Sequence, residues 1–248
     1  VNTYTDGNQS IPSIAALSDG GFVTTWESSG QDGSGYGIYG QIHSTDGTLQ
    51  GGEFQVNSTT LKDQERAEVA SLSDGGFVVA WQSRDQNESD DGFYTVVGQR
   101  FDANGDKDGG EFEINSQPDL SMGGIDVSMA GLADGGFVAT WSSYQLDTTG
   151  STNPDIHGQR YDANGDTVGG EFQVNAETAS TQNHSSVTGL SDGGFVVTWE
   201  GYNPDSSYDV YGHRYDASGN TVGNEFLVNT ETNYNQYQSS VTSLSDGG

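Results

Sequence analysis

Asp102, Asn104 and Asp106 place oxygen-bearing side chains at alternate positions of the stretch "DANGD", and Asp162, Asn164 and Asp166 repeat the arrangement. Ca2+ is held by oxygen ligands of this kind, so calcium is the cofactor to which these residues point. The stretch departs from an EF-hand-like loop: Gly105 and Gly165 precede the third ligand, and no bidentate Glu follows at the required distance. A hairpin turn accounts for the same Asp, Asn and Gly without any ion. The first and fourth copies, "STDGT" and "DASGN", lose ligands. A second acidic group, Asp85, Asp90, Asp91, Asp147, Asp155, Asp205 and Asp209, falls in or beside the variable loops; convergence on cations is one reading, and a solvated acidic surface is the preferred one.

Tyr36, Tyr94, Tyr144, Tyr202 and Tyr208 lie in or beside those loops among Asn, Asp and Gln, the mixture of aromatic face and polar group that a saccharide site uses. Half-exposed tyrosines at strand ends are also ordinary structural residues. The histidines, His43, His157, His184 and His213, show no HExxH spacing and no recurrent Asp or Ser partner. Carboxylates are too plentiful for any pair to stand out as acid and base, and no unit breaks the repeat with special residues. The sequence therefore leads to the expectation of a protein that is not an enzyme. Arg100, Arg160 and Arg214 share one repeat position, each followed two residues later by Asp102, Asp162 or Asp216, and residues i and i+2 share a strand face. A structural ion pair within each couple, or stacking of the arginine on an aromatic, is expected.

The elements that carry these residues repeat. The Asp of "DGG" recurs at Asp19, Asp74, Asp134, Asp192 and Asp246, at spacings of 55, 60, 58 and 54 residues. Each of the first four units holds four short alternating runs rich in Val, Phe, Tyr and Thr; in the fourth they are 184–190, 194–200, 208–216 and 224–229. Such runs are strands. "SDGG" supplies the hairpin turn between strands one and two, and "DANGD" the turn between three and four. In "GFVVTWE" the residues Phe195, Val197 and Trp199 share one face and Val196 and Thr198 the other, so the strand is apolar on both sides and must lie inside stacked sheets. Trp26, Trp81, Trp141 and Trp199 are read as packing residues between those sheets, not as a sugar platform. The fold class expected is all-β: a β-propeller-like array of four-stranded antiparallel blades, with four full repeats plus one extra strand. The repeats run over 1–57, 58–115, 116–175 and 176–229, with a partial fifth over 230–248, together one repeat domain.

Against 36 Asp and Glu stand 7 Lys and Arg, for a formal net charge of -29. That field repels phosphate backbones and anionic lipid alike, so neither nucleic acid nor membrane insertion is expected. Cys is absent, which excludes disulfides and thiolate metal sites. No run of about 18 apolar residues occurs, and the N-terminus has none of the features of a signal peptide.

The combination of "SDGGFVVTW", "YDANG" and "VGGEFQVN", clearest at Gly158–Asn175 and Leu190–Trp199, resembles repeat modules of large secreted bacterial RTX-type (hemolysin-type calcium-binding) surface or adhesin proteins. The resemblance covers essentially the whole chain and implies a secreted or cell-surface location. The tandem "GGxGxD" run of the RTX nonapeptide is absent. The function expected is a non-enzymatic structural or adhesive module, calcium-stabilised at the acidic turns, excised from a longer protein. The alternatives are a carbohydrate-binding, lectin-like propeller and a glycan-active enzyme. A surface glycan or protein is the expected partner, with self-association through the unpaired fifth-repeat strand.

Overall fold

A computed structural model describes residues 1–84, 94–116, 126–144, 153–203 and 207–244. Among them sixteen strands form four sheets, each an antiparallel meander in chain order. The first comprises β1 (Gln9–Ala16), β2 (Phe22–Ser29), β3 (Tyr36–His43) and β4 (Leu49–Gln55). The second comprises β5 (Gln64–Ser71), β6 (Phe77–Arg84), β7 (Tyr94–Phe101) and β8 (Lys107–Glu113). The third holds β9 (Val127–Gly131), β10 (Phe137–Ser143), β11 (Asp155–Tyr161) and β12 (Thr167–Gln173). The fourth holds β13 (Gln182–Gly189), β14 (Phe195–Tyr202), β15 (Tyr208–Tyr215) and β16 (Thr221–Leu227). The chain divides into two compact units, Val1–Val127 and Ser128–Gly248.

The repeated "LSDGG", "LADGG" in the third sheet, closes the first hairpin of every sheet for a local reason. Its first glycine adopts a left-handed φ of 87° at Gly20 and 94° at Gly135, which side chains resist. Its second stands against the third strand: a Cβ on Gly136 would lie 2.0 Å from the Tyr161 carbonyl oxygen. The Asp carboxylate completes the turn by accepting the second glycine's N–H, at 2.8 Å from Asp19. The glycine in mid-strand three is equally constrained, because the ring of the "EF" phenylalanine lies over it; a Cβ on Gly158 would meet Phe172 Cζ at 2.7 Å.

Packing follows the two-faced second strand. In the first unit Val23, Ile38 and Val56 of one sheet meet Phe77, Val79 and Trp81 of the next. In the second unit Val138, Ile156 and Val174 meet Phe195, Val197 and Trp199. The four tryptophans are buried, none more than 4% exposed, in agreement with their reading as packing residues. Two of them also donate the indole N–H to a first-strand glutamine, Trp81 to Gln64 at 2.9 Å and Trp199 to Gln182 at 3.0 Å.

An asparagine ties each repeat shut. After the fourth strand the chain turns back, and Asn57, Asn115, Asn175 and Asn229 accept the N–H of Ile38, Val96, Ile156 and Val210, each at 2.7 Å. The "VN" of the sequence is thus a tether that launches the linker to the next sheet.

Two expectations change. The run expected as an extra fifth-repeat strand is extended backbone on the face of the fourth sheet and has no sheet partner among the described residues, so it is not a strand. The repeated arginines pair with the turn aspartates: Arg100 with Asp74 at 3.6 Å and Asp108 at 3.4 Å, Arg160 with Asp134 at 3.5 Å, and Arg214 with Asp192 at 2.5 Å. Asp102, Asp162 and Asp216 begin hairpin turns, beyond the strand alternation that would have put them on the arginine's face.

Candidate functional site

The expected calcium ligands are engaged locally. Asp102 Oδ1 accepts the N–H groups of Asn104 at 2.8 Å and Asp106 at 2.9 Å, and Asp162 Oδ1 does the same for Asn164 and Asp166 at 2.8 and 3.0 Å. These bonds hold both carboxyls below the usual carboxylate range, the Asp106 and Asp166 N–H groups first among the causes. Each triplet stays on its own hairpin, and no group of three or more metal-ligating side chains converges among the described residues. Of the loop acids, Asp85, Asp90, Asp91, Asp147 and Asp205 lie outside the described residues, while Asp155 and Asp209 are buried.

The five tyrosines separate. Tyr36, Tyr94 and Tyr208 begin the third strands of their sheets, Tyr202 ends β14 and Tyr144 follows β10. Only Tyr202 and Tyr208 come together, edge to face at 5.0 Å, and Tyr237 adds a third ring 5.4 Å from Tyr208.

The chemistry lies where the sequence reading did not look, at a bulge in the first strand of the first, second and fourth sheets. The β1–β2 register breaks between Ser10 and Ser13, β5–β6 between Glu65 and Glu68, and β13–β14 between Asn183 and Ser186. At each break one residue is driven to positive φ: Ile11 at 48°, Arg66 at 55° and His184 at 50°. Non-glycine residues rarely adopt this conformation, and such local strain concentrates at functional positions.

In the first unit the Arg66 bulge is held by a carboxylate reaching over from β2. Glu27, 4% exposed, accepts the Arg66 N–H on Oε1 at 2.6 Å, and Ser10 Oγ donates to its Oε2 at 3.3 Å. Burial pushes the Glu27 carboxyl up, and the adjacent Glu65 adds to the shift. Glu65 accepts from Gln82 Nε2 at 3.2 Å and is itself raised, by burial first and then by Asp63. Glu68, exposed on β5, accepts from Ser13 Oγ at 2.8 Å. The Arg66 guanidinium pairs with Asp126. Two carboxyls that hold protons more tightly than usual, Glu27 and Glu65, thus lie beside the Arg66 bulge.

The second unit uses the same position differently. Glu200, 1% exposed, accepts the Gln238 N–H on Oε1 at 2.5 Å and faces His184 Nδ1 with Oε2 at 3.0 Å. With Asn183, Tyr208 and Tyr237 they line a recess of about 420 Å³. A neighbouring recess of about 330 Å³ is lined by Glu177, Tyr202, Asn203, Tyr211 and Glu225 among others. There Tyr211 Oη donates to Asn203 Oδ1 at 2.6 Å, and Asn203 donates to buried Asp209 at 2.5 Å. A sequence signal for the bulges existed: aligned on "DGG", the first-strand positions Ser10–Ile11, Glu65–Arg66, Asn183–His184 and Tyr237–Gln238 change chemical type in every unit.

No protein-family model and no curated protein matches the sequence. Among solved structures, the backbone is similar to that of a protein of unknown function from Dyadobacter fermentans, with a TM-score of 0.66 and 11% identity over 96% of this chain and 72% of that one. It is similar to an alpha-L-arabinanase from Penicillium chrysogenum complexed with arabinobiose, with a TM-score of 0.61 and 17% identity over 99% of this chain and 74% of that one. A Hadza microbial sialidase matches with a TM-score of 0.56 and 15% identity over 82% of this chain and 44% of that one. At these identities the likeness is one of fold. It corrects the expectation of a non-enzymatic structural or adhesive module: the structures that share this backbone include an arabinanase and a sialidase, and the bulges carry buried, proton-holding carboxyls that loop inspection had missed.

Proposed function

We propose that the chain is a glycan-active enzyme built as a β-propeller, hydrolysing glycosidic bonds in a neutral saccharide. The observation that carries this reading is the placement of Glu27 and Glu65 at the Arg66 bulge: two carboxyls from successive sheets, both raised by burial, with Glu65 adding to the shift of Glu27. Glycosidases work with two carboxyls whose environments keep one protonated as the acid and leave the other ionised as base or nucleophile. Glu27, the more buried, is the proton donor to the glycosidic oxygen; Glu65, half-buried, stays available to activate water or to attack the anomeric carbon. Arg66, exposed at its head, orients the sugar hydroxyls.

A neutral substrate fits the field of the molecule, because a net charge of -29 repels anionic sugars such as sialosides. The propeller arrangement is supported by the four-stranded meanders, by the face-to-face packing of successive sheets within each unit, and by the likeness to the arabinanase backbone.

The test is product release from arabino-oligosaccharides and from neutral hexo-oligosaccharides, with sialyl-lactose alongside. Neutral substrates should be cleaved, and Glu27→Gln and Glu65→Gln should each lower kcat by at least ~100-fold with an unchanged circular dichroism spectrum. Saccharide binding without turnover, or turnover indifferent to both substitutions, would refute the proposal.

A further inference from the structure

The fourth repeat departs from the others at one strand position. Two residues after the tryptophan of the second strand, three repeats place Ser28, Ser83 and Ser143, and the fourth places Gly201. A Cβ on Gly201 would lie 2.9 Å from Cδ2 and Cε2 of Tyr211 and 2.6 Å from Gln182 Oε1, so the glycine allows the Tyr211 ring to lie against the backbone of β14. Tyr211 is a variable residue in its turn: opposite the tryptophan the other sheets place Tyr39, Val97 and His157.

With its ring seated on Gly201, Tyr211 extends its hydroxyl to Asn203 Oδ1 at 2.6 Å, and Asn203 Nδ2 donates to Asp209, 3% exposed, at 2.5 Å. Asn229 Nδ2 holds the other oxygen of Asp209 at 2.7 Å. This chain of bonds fixes the Asn203 amide and leaves it one N–H and one lone pair to offer. Burial, with Asp209 and Glu225 nearby, pushes the Tyr211 phenol up, which keeps its proton in the chain.

The linker between the third and fourth sheets builds another wall. Glu177 accepts the Ala179 N–H on Oε1 at 2.8 Å, and Glu225 of β16 accepts the Ala176 N–H on Oε2 at 3.0 Å, so each carboxylate has one oxygen pinned by backbone and one left for a ligand. Neither forms an ion pair among the described residues. Tyr202 joins the lining, its N–H on Thr181 O at 2.8 Å. The recess, about 330 Å³ and within the second unit, falls in the ~300–1,000 Å³ range of small-molecule sites.

Two aromatic rings beside acceptors held in place by backbone call for a ligand with a flat C–H face and many donors. A saccharide ring has both, and the two carboxylates turn away acidic sugars. We propose that this recess is a second saccharide site, which holds a neutral sugar ring against Tyr202 and Tyr211 while its hydroxyls donate to Glu177, Glu225 and Asn203. It lies in the second unit and uses neither Glu27 nor Glu65, so it does not rest on the hydrolysis read at those residues.

The experiment uses the whole chain carrying Glu27→Gln, so that binding is read without turnover, and titrates it with a neutral arabinose trisaccharide and a neutral hexose trisaccharide by saturation-transfer NMR. Saturable binding of at least one, with a Kd of about 1 mM, is expected. Tyr202→Ala and Asn203→Ala should each weaken it at least ~5-fold with an unchanged circular dichroism spectrum. Gly201→Ser, which restores the residue of the other repeats, should weaken it similarly by unseating Tyr211 without removing a ligand contact. No saturation by about 50 mM of either sugar would overturn the proposal. So would binding insensitive to all three substitutions, displacement of the sugar by an equal concentration of a simple alkylammonium ion, which would assign the recess to cations, or binding abolished by adding Glu65→Gln, which would place the sugar at the hydrolytic site. Absence of hydrolysis by the parent chain would refute the enzyme reading and leave this outcome unchanged.

Discussion

Asn175 and Asn229 make the same three hydrogen bonds in the same unit but at different depths, which turns the repeat into its own control. Asn175, 4% exposed, accepts from Ile156 N–H at 2.7 Å and donates to Asp155 Oδ1 at 2.7 Å and Glu177 O at 2.8 Å. Asn229, half-buried, accepts from Val210 N–H and donates to Asp209 Oδ1 and Glu231 O, each at 2.7 Å. In Asn175→Ala the Ile156 N–H is left without its acceptor beside a side chain that is fully buried. An orphaned buried donor costs about 1–3 kcal/mol and each lost net bond about 1 kcal/mol, so the expected destabilisation is about 2–4 kcal/mol. In Asn229→Ala water can replace the lost partners, and the cost falls to about 1 kcal/mol. Urea unfolding followed by tryptophan fluorescence measures the difference, with Trp141 and Trp199 reporting on this unit. A shift in midpoint at constant slope is the expected form. Equal costs for the two substitutions, or a cost below about 1 kcal/mol for Asn175→Ala, would refute the tether as a stabilising device.

Gly158→Ala should destabilise by about 1–3 kcal/mol, since the new methyl meets the Phe172 ring, and Gly158→Ala combined with Phe172→Leu should recover part of the loss; a neutral single variant would contradict the ring-over-glycine packing. The pH dependence of stability separates two classes of carboxyl. Glu27 binds its proton more tightly folded than unfolded, so its contribution is present below the unfolded value and is lost as pH rises through the folded one. Glu27→Gln should therefore gain stability relative to the parent as pH rises from about 5 to 8, measured by thermal unfolding, and a difference independent of pH would count against a proton-holding Glu27. Asp46, pulled down to about 2 by Ser44 and Thr48, acts in the opposite sense: its contribution is present above the unfolded value and is lost as pH falls toward the folded one, so Asp46→Asn should remove part of the acid sensitivity.

The strands, the turns and the burial of the tryptophans were legible because they rest on local rules: period two, a left-handed glycine and a strand apolar on both faces. The Arg100 and Arg160 partners were not, because the i,i+2 rule ends where the strand ends, and Asp102 and Asp162 fold their carboxylates back onto their own turns. The site was missed for a related reason. Its members are brought together by packing between repeats, Glu27 with Arg66 and Glu200 with Gln238, each couple made of a second-strand side chain and the backbone of the following repeat. No spacing rule within one repeat joins such residues.

This coupling also explains how a repeat built for packing can acquire chemistry. A carboxylate after the tryptophan is anchored by a backbone N–H in both Glu27 and Glu200, which fixes one oxygen and leaves the other to face whatever the bulge presents: Ser10 in the first sheet, His184 in the fourth. The second and third sheets place Gln82 and Ser142 at the same position, so the ionisable group is not required by the stacking. Keeping a buried carboxyl where an amide or hydroxyl suffices costs stability. The bulge holds the backbone in a strained geometry, and the carboxylate anchored on it by a backbone N–H is fixed with it.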